Sequence, residues 1–252
     1  LEERDQLHWE EPPRTPSPML AVLTDDPFSD PDWIYERKLD GERVLAVVEN
    51  RRARLVTRNG MEVSDTYPEI ERALDEGSMG NGSSGDPLPD MVLDGEIVAF
   101  SDDVTSFSRL QQRMQIRDRD EARESHVAVY YYLFDLLHLG GYDLTRLPLR
   151  TRKSLLNQVL HFEDPLRFTP HRNEKGEELL ETACKRGWEG VMAKRADSTY
   201  RHTRFRDWLK FKCVNRQELV IGGFTDPGGS RTGFGALLVG YYEEDERGDR
   251  KL

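Results

Sequence analysis

Short apolar runs and alternating apolar and polar positions, rather than long helical repeats, dominate the chain. Alternation with period two predicts strands, because successive side chains of a strand point to opposite faces of a sheet. One of these strands contains Asp94-Gly95, which we expect to interrupt it. The predicted strands cover residues 33–37, 43–48, 53–58, 91–100, 127–137, 190–195 and 208–214.

Four segments have helical character and lie between the predicted strands. For the first we expect Ser64 or Asp65 as the cap and Pro68 in the first turn, and Gly187 should stop the last. The predicted helices cover residues 67–74, 107–115, 149–160 and 177–186. Residues 75–90, rich in glycine and serine, are expected to form a mobile surface insertion. Strands and helices mixed in this way predict an α+β fold.

The pattern changes at Glu218, where two apolar stretches, ELVIGGF and ALLVGYY, flank a glycine-rich turn region. These stretches predict two strands of a separate all-β unit, which has only begun when the chain ends at Leu252. We therefore expect one domain over residues 1–216 and part of a second over residues 217–252.

Composition indicates a globular protein of the cytoplasm. The longest apolar run, residues 127–137, is too short to cross a bilayer, and the acidic first residues do not resemble a signal peptide. Cys184 and Cys213 match no metal-ligand spacing and do not suggest a disulfide framework. We expect a monomer in a reducing compartment, without a membrane partner.

A net charge of −11 argues at first against a nucleic-acid partner, but the charges are unevenly distributed. Residues 1–36 carry ten acidic and two basic side chains, whereas residues 194–216 carry eight basic and two acidic ones. The basic segment can bind phosphates of a nucleotide or of DNA. A solvated pair of basic strands would explain the same pattern.

The segment Lys38-Leu39-Asp40-Gly41-Glu42-Arg43 lies between two predicted strands. Gly41 permits a tight turn and a close approach of a ligand, so Lys38 is a candidate nucleophile at the rim of a sheet. Only eight lysines occur beside 28 arginines, and an amine can act as a nucleophile where a guanidinium cannot. A charged β-turn is the alternative interpretation.

A second lysine-bearing segment, WLKFK, begins at Trp208. Period two places Trp208, Lys210 and Lys212 on one face of the strand and Leu209 and Phe211 on the other. Two ammonium groups on one face can hold a phosphate, although a half-buried amphipathic strand also explains the alternation.

In order, KLDGER, TRNG, LDGEIVAF, YYLFDLL, WEGVMAK and WLKFK resemble the successive motifs of covalent nucleotidyltransferases. The resemblance is closest to ATP-dependent DNA ligases, in particular the ligase domains of bacterial repair and end-joining enzymes. It runs from about Pro18 to the end of the chain. It implies an adenylation domain of the nucleotidyltransferase (ATP-grasp-like) type, with antiparallel sheets and flanking helices, followed by the start of an OB-fold.

The resemblance also implies a mechanism and a set of site residues. Lys38 would attack the α-phosphate of ATP, expel pyrophosphate and hold AMP as a phosphoramidate. Glu189 would bind Mg²⁺ or Mn²⁺, and Glu96 would bind the metal or a ribose hydroxyl. The other implied contacts are Glu36 to the adenine amino group, Phe134 stacked on adenine, Arg43 and Arg58 at the ribose and phosphates, and Arg204, Lys210 and Lys212 at the α-phosphate. Lys194 also belongs to this set, although five positions separate it from Glu189 and a straight strand would point the two to opposite faces.

Two departures from the family pattern stand out. The stretch before Trp208 lacks an expected glycine and is one residue short, and the last basic motif of the OB-fold is missing, as in a truncated ligase. Nicked or broken duplex DNA is the expected substrate, with end-joining or repair proteins as further partners near the bacterial nucleoid. An RNA ligase, a GTP-dependent RNA-capping enzyme and a non-catalytic DNA-binding scaffold are the alternatives, whereas an NAD-dependent ligase is disfavoured because no domain for the nicotinamide half precedes the lysine motif.

Overall fold

A computed structural model of the chain describes residues 7–13, 16–77, 88–213, 220–229, 232–241, 243–244 and 250–251. The chain divides into two compact units, residues 1–213 and residues 214–252. Most of the expected surface insertion, residues 78–87, lies outside the described residues. The assignment of the second unit to an OB-fold stays a prediction.

The first unit contains thirteen of the described strands and five helices. Its strands are β1 (His8–Trp9), β2 (Leu20–Leu23), β3 (Trp33–Lys38), β4 (Glu42–Glu49), β5 (Arg52–Thr57), β6 (Met91–Ser101), β7 (Val104–Thr105), β8 (Val129–Leu139), β9 (Tyr142–Asp143), β10 (Leu166–Phe168), β11 (His171–Asn173), β12 (Gly190–Arg195) and β13 (Arg204–Lys212). Its helices are α1 (Pro68–Asp75), α2 (Phe107–Met114), α3 (Arg119–Glu124), α4 (Leu149–Val159) and α5 (Gly176–Lys185).

Two sheets form the frame of this unit, as the α+β prediction requires. The larger follows the order β1-β9-β8-β6-β4-β5, with β10 beside β8 and β7 beside β6, and the smaller follows β11-β3-β12-β13-β2. The prediction of antiparallel sheets holds for most pairs, but β10 runs parallel to β8 and β13 runs parallel to β2. The motif lysine Lys38 therefore ends β3, a strand flanked on both sides.

Both sheets bury both of their faces, which explains why several strands read as nearly continuous apolar runs. In β3, Ile34 packs with Trp208 and Phe134 between the sheets, while its neighbour Tyr35 packs with Phe211 on the far side under α5. The far side of the larger sheet packs against α1, α2 and α4. The layers are thus helix, sheet, sheet and helices.

Two predicted details of local structure are wrong. Neither Ser64 nor Asp65 caps α1: the Ser64 hydroxyl accepts from the Leu55 amide at 3.1 Å, and Asp65 pairs with Arg119. Nor does Asp94-Gly95 interrupt β6, which is one strand of eleven residues. The Asp94-Gly95 pair instead marks a shift of register between β6 and β8. At this shift Gly95 lies so close to Tyr131 that a Cβ atom would stand 2.5 Å from the tyrosine ring.

The two cysteines, expected to be free, form a disulfide between Cys184 and Cys213. Cys184 lies in the last turn of α5, and Cys213 directly follows β13. Their separation of 29 residues matched no short spacing motif, which explains why the pair was missed. The bond connects a helix and a strand that already pack together, and their proximity depends on the tertiary fold.

The described part of the second unit consists of paired strands. Val220–Phe224 (β14) pairs antiparallel with Leu237–Gly240 (β15), as the two apolar stretches predict, and Glu243–Glu244 (β16) pairs with Arg250–Lys251 (β17). Across the described residues of the whole chain, no helix is both long and apolar enough to span a membrane.

Candidate active site

A cavity of about 200 Å³, here called the central cavity, lies within the first unit. It brings together every predicted nucleotide-binding residue except Lys212. Those residues are Glu36, Lys38, Arg43, Arg58, Glu96, Phe134, Lys194, Arg204 and Lys210. Sequence reasoning did not predict seven further lining residues: Met19, Leu20, Ala21, Arg37, Leu39, Thr169 and Met192.

The candidate nucleophile Lys38 lines the central cavity and contacts a carboxylate. Lys38 Nζ pairs with Glu189, and the other oxygen of Glu189 accepts from Lys212 Nζ at 3.2 Å. The residues that line the cavity include neither Glu189 nor Lys212, and Glu189 adjoins the cavity through its contact with Lys38. The glycine of the WEG motif makes this placement possible: Gly190 has a φ of 149°, and a Cβ atom there would stand 2.0 Å from the Phe211 carbonyl oxygen.

The glycine of the KLDG segment lies in the short turn between β3 and β4, as the sequence predicts. A Cβ atom on Gly41 would stand 2.2 Å from the carbonyl oxygen of Ile97. Glycine is therefore needed because the turn packs against β6, and close approach of a ligand is not required to explain it.

Glu36, two positions before Lys38 on β3, also lines the central cavity and is almost completely buried. Its two carboxylate oxygens each meet an ammonium group at 2.6 Å, from Lys153 and Lys194. Burial alone would raise the pKa of Glu36, but the two positive charges outweigh it and hold the pKa below its ordinary value. Lys153 was missed because it lies on α4, 117 positions from Glu36, where only the fold brings it near.

Lys194 is also buried, and it lines the central cavity as predicted. The sequence suggested that Lys194 and Glu189 would point to opposite faces of one strand. Glu189 lies before β12, and only Lys194 belongs to that strand, so the alternation of faces does not apply to the pair. Burial lowers the pKa of Lys194 to about 8, Glu36 opposes this effect, and the nearby charge of Lys153 adds to it. Its ammonium group lies 4.1 Å from the ring centres of both Phe134 and Trp208.

Phe134 is both a core residue and a wall of the central cavity. It packs edge-on against Trp208 between the two sheets, and the Arg43 guanidinium lies 4.3 Å from its ring centre. An aromatic ring that borders a cavity and contacts cations can stack on a planar base. The predicted role of Phe134 stays a prediction, because packing alone would also place a phenylalanine here.

Arg43 is fixed by a buried acid that sequence reasoning did not assign. Its guanidinium donates to the two Asp94 oxygens at 2.6 and 2.7 Å, and the Tyr200 hydroxyl donates to the same carboxylate at 2.6 Å. Asp94 is completely buried. An aspartate that follows the apolar residues 91–93 in β6 was the available signal for such a partner, since a buried charge needs compensation.

Two further acids are electrostatically coupled to Lys38 and Glu189. Burial raises the pKa of Glu96 to about 7, although the charges of Arg43 and Lys38 oppose the increase. Burial and the charge of Glu189 raise the pKa of Asp40. Glu189, Glu96 and Asp40 therefore form a locally acidic group around the candidate nucleophile, and a cation would relieve their repulsion.

The remaining predicted cations line the central cavity from separate elements. Arg58 follows β5, and Arg204 begins β13 and donates to the Ala21 carbonyl. The irregular stretch before Trp208 coincides with a register shift between β13 and β2 that lies between Arg204 and Leu209. Burial, together with the charges of Lys38 and Lys212, lowers the pKa of Lys210. Such a set of cations can neutralise a phosphate group.

The amino-acid sequence is similar to ligases of bacterial end joining. It is 40% identical over 239 residues to the multifunctional non-homologous end joining protein LigD of Pseudomonas aeruginosa, covering 94% of this chain and 26% of that protein. It is 36% identical over 232 residues to the corresponding DNA repair protein of Mycobacterium tuberculosis H37Rv, covering 89% of this chain and 27% of that protein. The chain thus spans about a quarter of the length of these relatives.

The fold is similar to that of a solved ligase with a bound nucleotide. A structure of mycobacterial DNA ligase D complexed with ATP and MES matches with a TM-score of 0.64 and 30% identity, covering 90% of this chain and 68% of that one. The family model described as the ATP dependent DNA ligase domain matches residues 18–212, the unit that contains the central cavity. The chain therefore belongs to the ATP-dependent DNA ligase family.

Proposed function

We propose that Lys38 of this chain takes AMP from ATP, that the AMP then passes to the 5′-phosphate of a DNA nick, and that the chain seals that nick. The observation that carries the proposal is the position of Lys38: it lines one cavity together with the aromatic ring of Phe134 and the cations Arg204 and Lys210. The similarity to bacterial end-joining proteins and to a mycobacterial DNA ligase supports the reaction class.

The contacts of Lys38 suggest how the first step proceeds. The amine must be neutral before it attacks, and the Glu189 carboxylate is in contact with the ammonium and could accept its proton. The lone pair of Nζ then forms a bond to the α-phosphorus while the bond to the bridging oxygen breaks, so that pyrophosphate leaves. Arg204 and Lys210 would stabilise the negative charge that develops on the α-phosphate.

A divalent metal fits the acidic group around Lys38 only if the nucleotide helps to hold it. The described residues contain no group of three or more potential ligands arranged around one point. Mg²⁺ is commonly held by one or two carboxylates together with substrate phosphates, and Glu189 and Glu96 can supply those carboxylates. Such a metal would screen the charges of the triphosphate against one another.

The second unit and the basic surface extend the proposal to DNA. We assign residues 217–252 to part of an OB-fold, on the likeness of their sequence to that domain. The exposed basic side chains of residues 194–216, such as Arg201 and Arg206, would contact DNA phosphates, whereas Lys194 is buried beside Glu36. We further propose that the protein acts as a monomer in the cytoplasm, at the nucleoid, together with end-joining or repair proteins.

Nucleotide labelling tests the proposed function. We expect mass spectrometry to show covalent AMP on the chain after incubation with ATP, and no nucleotide adduct after incubation with GTP. Incubation with NAD should also leave the chain unmodified. Addition of a nicked duplex should move the AMP to the 5′-phosphate of the DNA. GMP labelling would favour a capping enzyme, transfer only to RNA would favour an RNA ligase, and no adduct at all would favour a binding scaffold.

Glu189→Gln should reduce the rate of AMP labelling strongly, and chelation of divalent metal should reduce the wild-type rate in the same way. The variant keeps the size of the side chain but removes the charge that would hold both the metal and Lys38. Glu178→Gln, at an exposed acid on α5, is the matched control and should label normally. Full wild-type labelling in excess chelator would rule out the metal.

A further inference from the structure

Four residues beside the central cavity form a closed network of hydrogen bonds, here called the Tyr200 network. The Tyr200 hydroxyl donates to Asp94 at 2.6 Å, and Asp94 accepts two bonds from Arg43 at 2.6 and 2.7 Å. The Met19 amide donates to the Tyr200 hydroxyl at 2.8 Å, and the Met19 carbonyl accepts a longer bond from Arg43 at 3.5 Å. The network is closed, so a movement of any one member changes the bonds of the others.

The Tyr200 network connects the two sheets of the first unit. Arg43 and Asp94 belong to β4 and β6 of the larger sheet, whereas Met19 directly precedes β2 of the smaller sheet. Tyr200 lies between β12 and β13, which also belong to the smaller sheet. Met19 and Arg43 line the central cavity, and the other two members are buried and do not line it. Tyr200 therefore supports the cavity wall without forming part of it.

The network engages only part of the Arg43 guanidinium. Within the described part of the chain, Nε and Nη2 make all of its hydrogen bonds, and Nη1 makes none. Nη1 is nevertheless not sealed from solvent, unlike two nitrogens of Arg37 that also lack partners among the described residues. The Arg43 side chain as a whole is 18% exposed. Because a bidentate pair with a carboxylate fixes the plane of a guanidinium, the network determines where the accessible Nη1 points.

The hydroxyl of Tyr200 is the part of this residue that the network needs. Burial raises the pKa of Tyr200 well above its ordinary value, and the charge of Asp94 adds to the increase, so the hydroxyl stays protonated and donates to that carboxylate. Phenylalanine would keep the aromatic ring, which packs edge-on against Trp208 with 5.8 Å between the ring centres. It would remove one bond from Asp94 and the bond of the Met19 amide. The Arg43 guanidinium would then turn with a less firmly held carboxylate.

We infer that Tyr200 is a positioning residue for nucleotide binding: through Asp94 it holds Arg43 so that Nη1 donates to an oxygen of the nucleotide. This inference rests on the proposed function. A guanidinium has only donors, and phosphate and ribose oxygens are suitable acceptors. Arg204 and Lys210 are the cations proposed to stabilise the charge that develops on the α-phosphate. Arg43 therefore contributes to the binding of ATP rather than to the chemical step.

Tyr200→Phe tests the inference through the KM for ATP in AMP labelling. We expect the KM to rise about 10-fold, the loss of about one hydrogen bond to a charged group, with kcat changed less than about twofold. Tyr67→Phe is the matched control, because Tyr67 is also buried and its hydroxyl donates to a carboxylate, that of Glu42, at 2.6 Å. Tyr67 does not line the central cavity, so this variant should keep the wild-type KM even where its melting temperature falls.

Arg43→Lys provides the second half of a double-mutant cycle, and it leaves a positive charge beside Asp94. If Tyr200 acts through Arg43, Tyr200→Phe should alter the KM by less than about twofold once the guanidinium is gone. A general loosening of the fold would instead raise the KM by the same factor in both backgrounds. All variants are compared at a temperature at which circular dichroism shows them folded.

Three results would overturn the inference: a KM for Tyr200→Phe within about twofold of the wild type, an equal rise in Tyr67→Phe, or an undiminished rise in the Arg43→Lys background. If Tyr200→Phe does not fold, Asp94→Asn takes its place under the same limits, because an amide cannot accept two charge-assisted bonds from Arg43. If the wild-type chain does not label at all, the proposed function fails, and equilibrium binding of ATP to the wild type and to Tyr200→Phe still decides the role of Tyr200.

Discussion

Replacement of Lys38 by alanine should abolish covalent AMP labelling and leave the fold intact. The amine is the proposed nucleophile, and of the two lysines that pair with Glu189 only Lys38 lines the central cavity. The side chains of Lys38 and Glu189 are 17% and 24% exposed, so the ion pair that is lost is partly hydrated and is not a fully buried pair. Glu189 also keeps Lys212 as a partner at 3.2 Å, so its carboxylate is not left alone.

Two further variants give this experiment its controls. Lys38→Arg keeps the positive charge and the pairing with Glu189, but a guanidinium does not lose its proton, so labelling should again be absent. Lys175→Ala removes an exposed lysine that pairs with Glu178 and should label like the wild type. AMP found on the protein after Lys38→Ala would show that a different residue carries the nucleotide.

Asp135→Ala should lower the free energy of unfolding by about 3–5 kcal/mol, the cost of leaving one partner of a buried ion pair uncompensated. Asp135 and Arg152 are both completely buried, and their atoms meet at 2.7 and 2.8 Å. The guanidinium also donates to the carbonyls of Leu147 and Ser198, so it connects β8 to two loops. Urea denaturation measures the effect, provided that the free energy of unfolding falls with urea concentration at the same slope in the variant and the wild type.

An exposed ion pair provides the contrast for this prediction. Glu181→Ala breaks the pair with Lys185 on the surface of α5, where both side chains are mostly exposed, and it should change the free energy of unfolding far less than Asp135→Ala does. Equal losses in the two variants would show that burial does not determine the contribution of these pairs. Since Asp135 follows Phe134 directly, Asp135→Ala should also weaken nucleotide binding.

The strand frame and the turn that carries Lys38 could be predicted from the sequence, because both depend on neighbours in the chain. Period two indicates the faces of a strand, and Gly41 in KLDG indicates a tight turn whatever the turn packs against. The motif order then indicates which side chains meet. Prediction was weaker at β6, because the sequence Asp94-Gly95 is equally compatible with a break in the strand and with a shift of its register against the neighbouring strand.

The partners of the site residues could not be predicted in this way. Glu36 meets Lys153 from α4, and Asp94 meets Tyr200, 106 positions away. Such pairs form because a buried charge must be compensated, and many residues of the right type could provide the compensation. The disulfide was missed for the same reason, since Cys184 and Cys213 approach each other only when α5 packs on the smaller sheet.

The strand that ends in Lys38 hydrogen-bonds to β11 on one side and β12 on the other. The pairing with β12 reaches Lys38 itself, opposite Gly190, and the pairing with β11 reaches Glu36, so the sheet holds the backbone that carries the proposed nucleophile. If Lys38 carries AMP as proposed, the length of one lysine side chain would limit how far the AMP group can move. A DNA end would then have to be brought to the adenylate, and the accuracy of joining would depend on the surface that delivers that end.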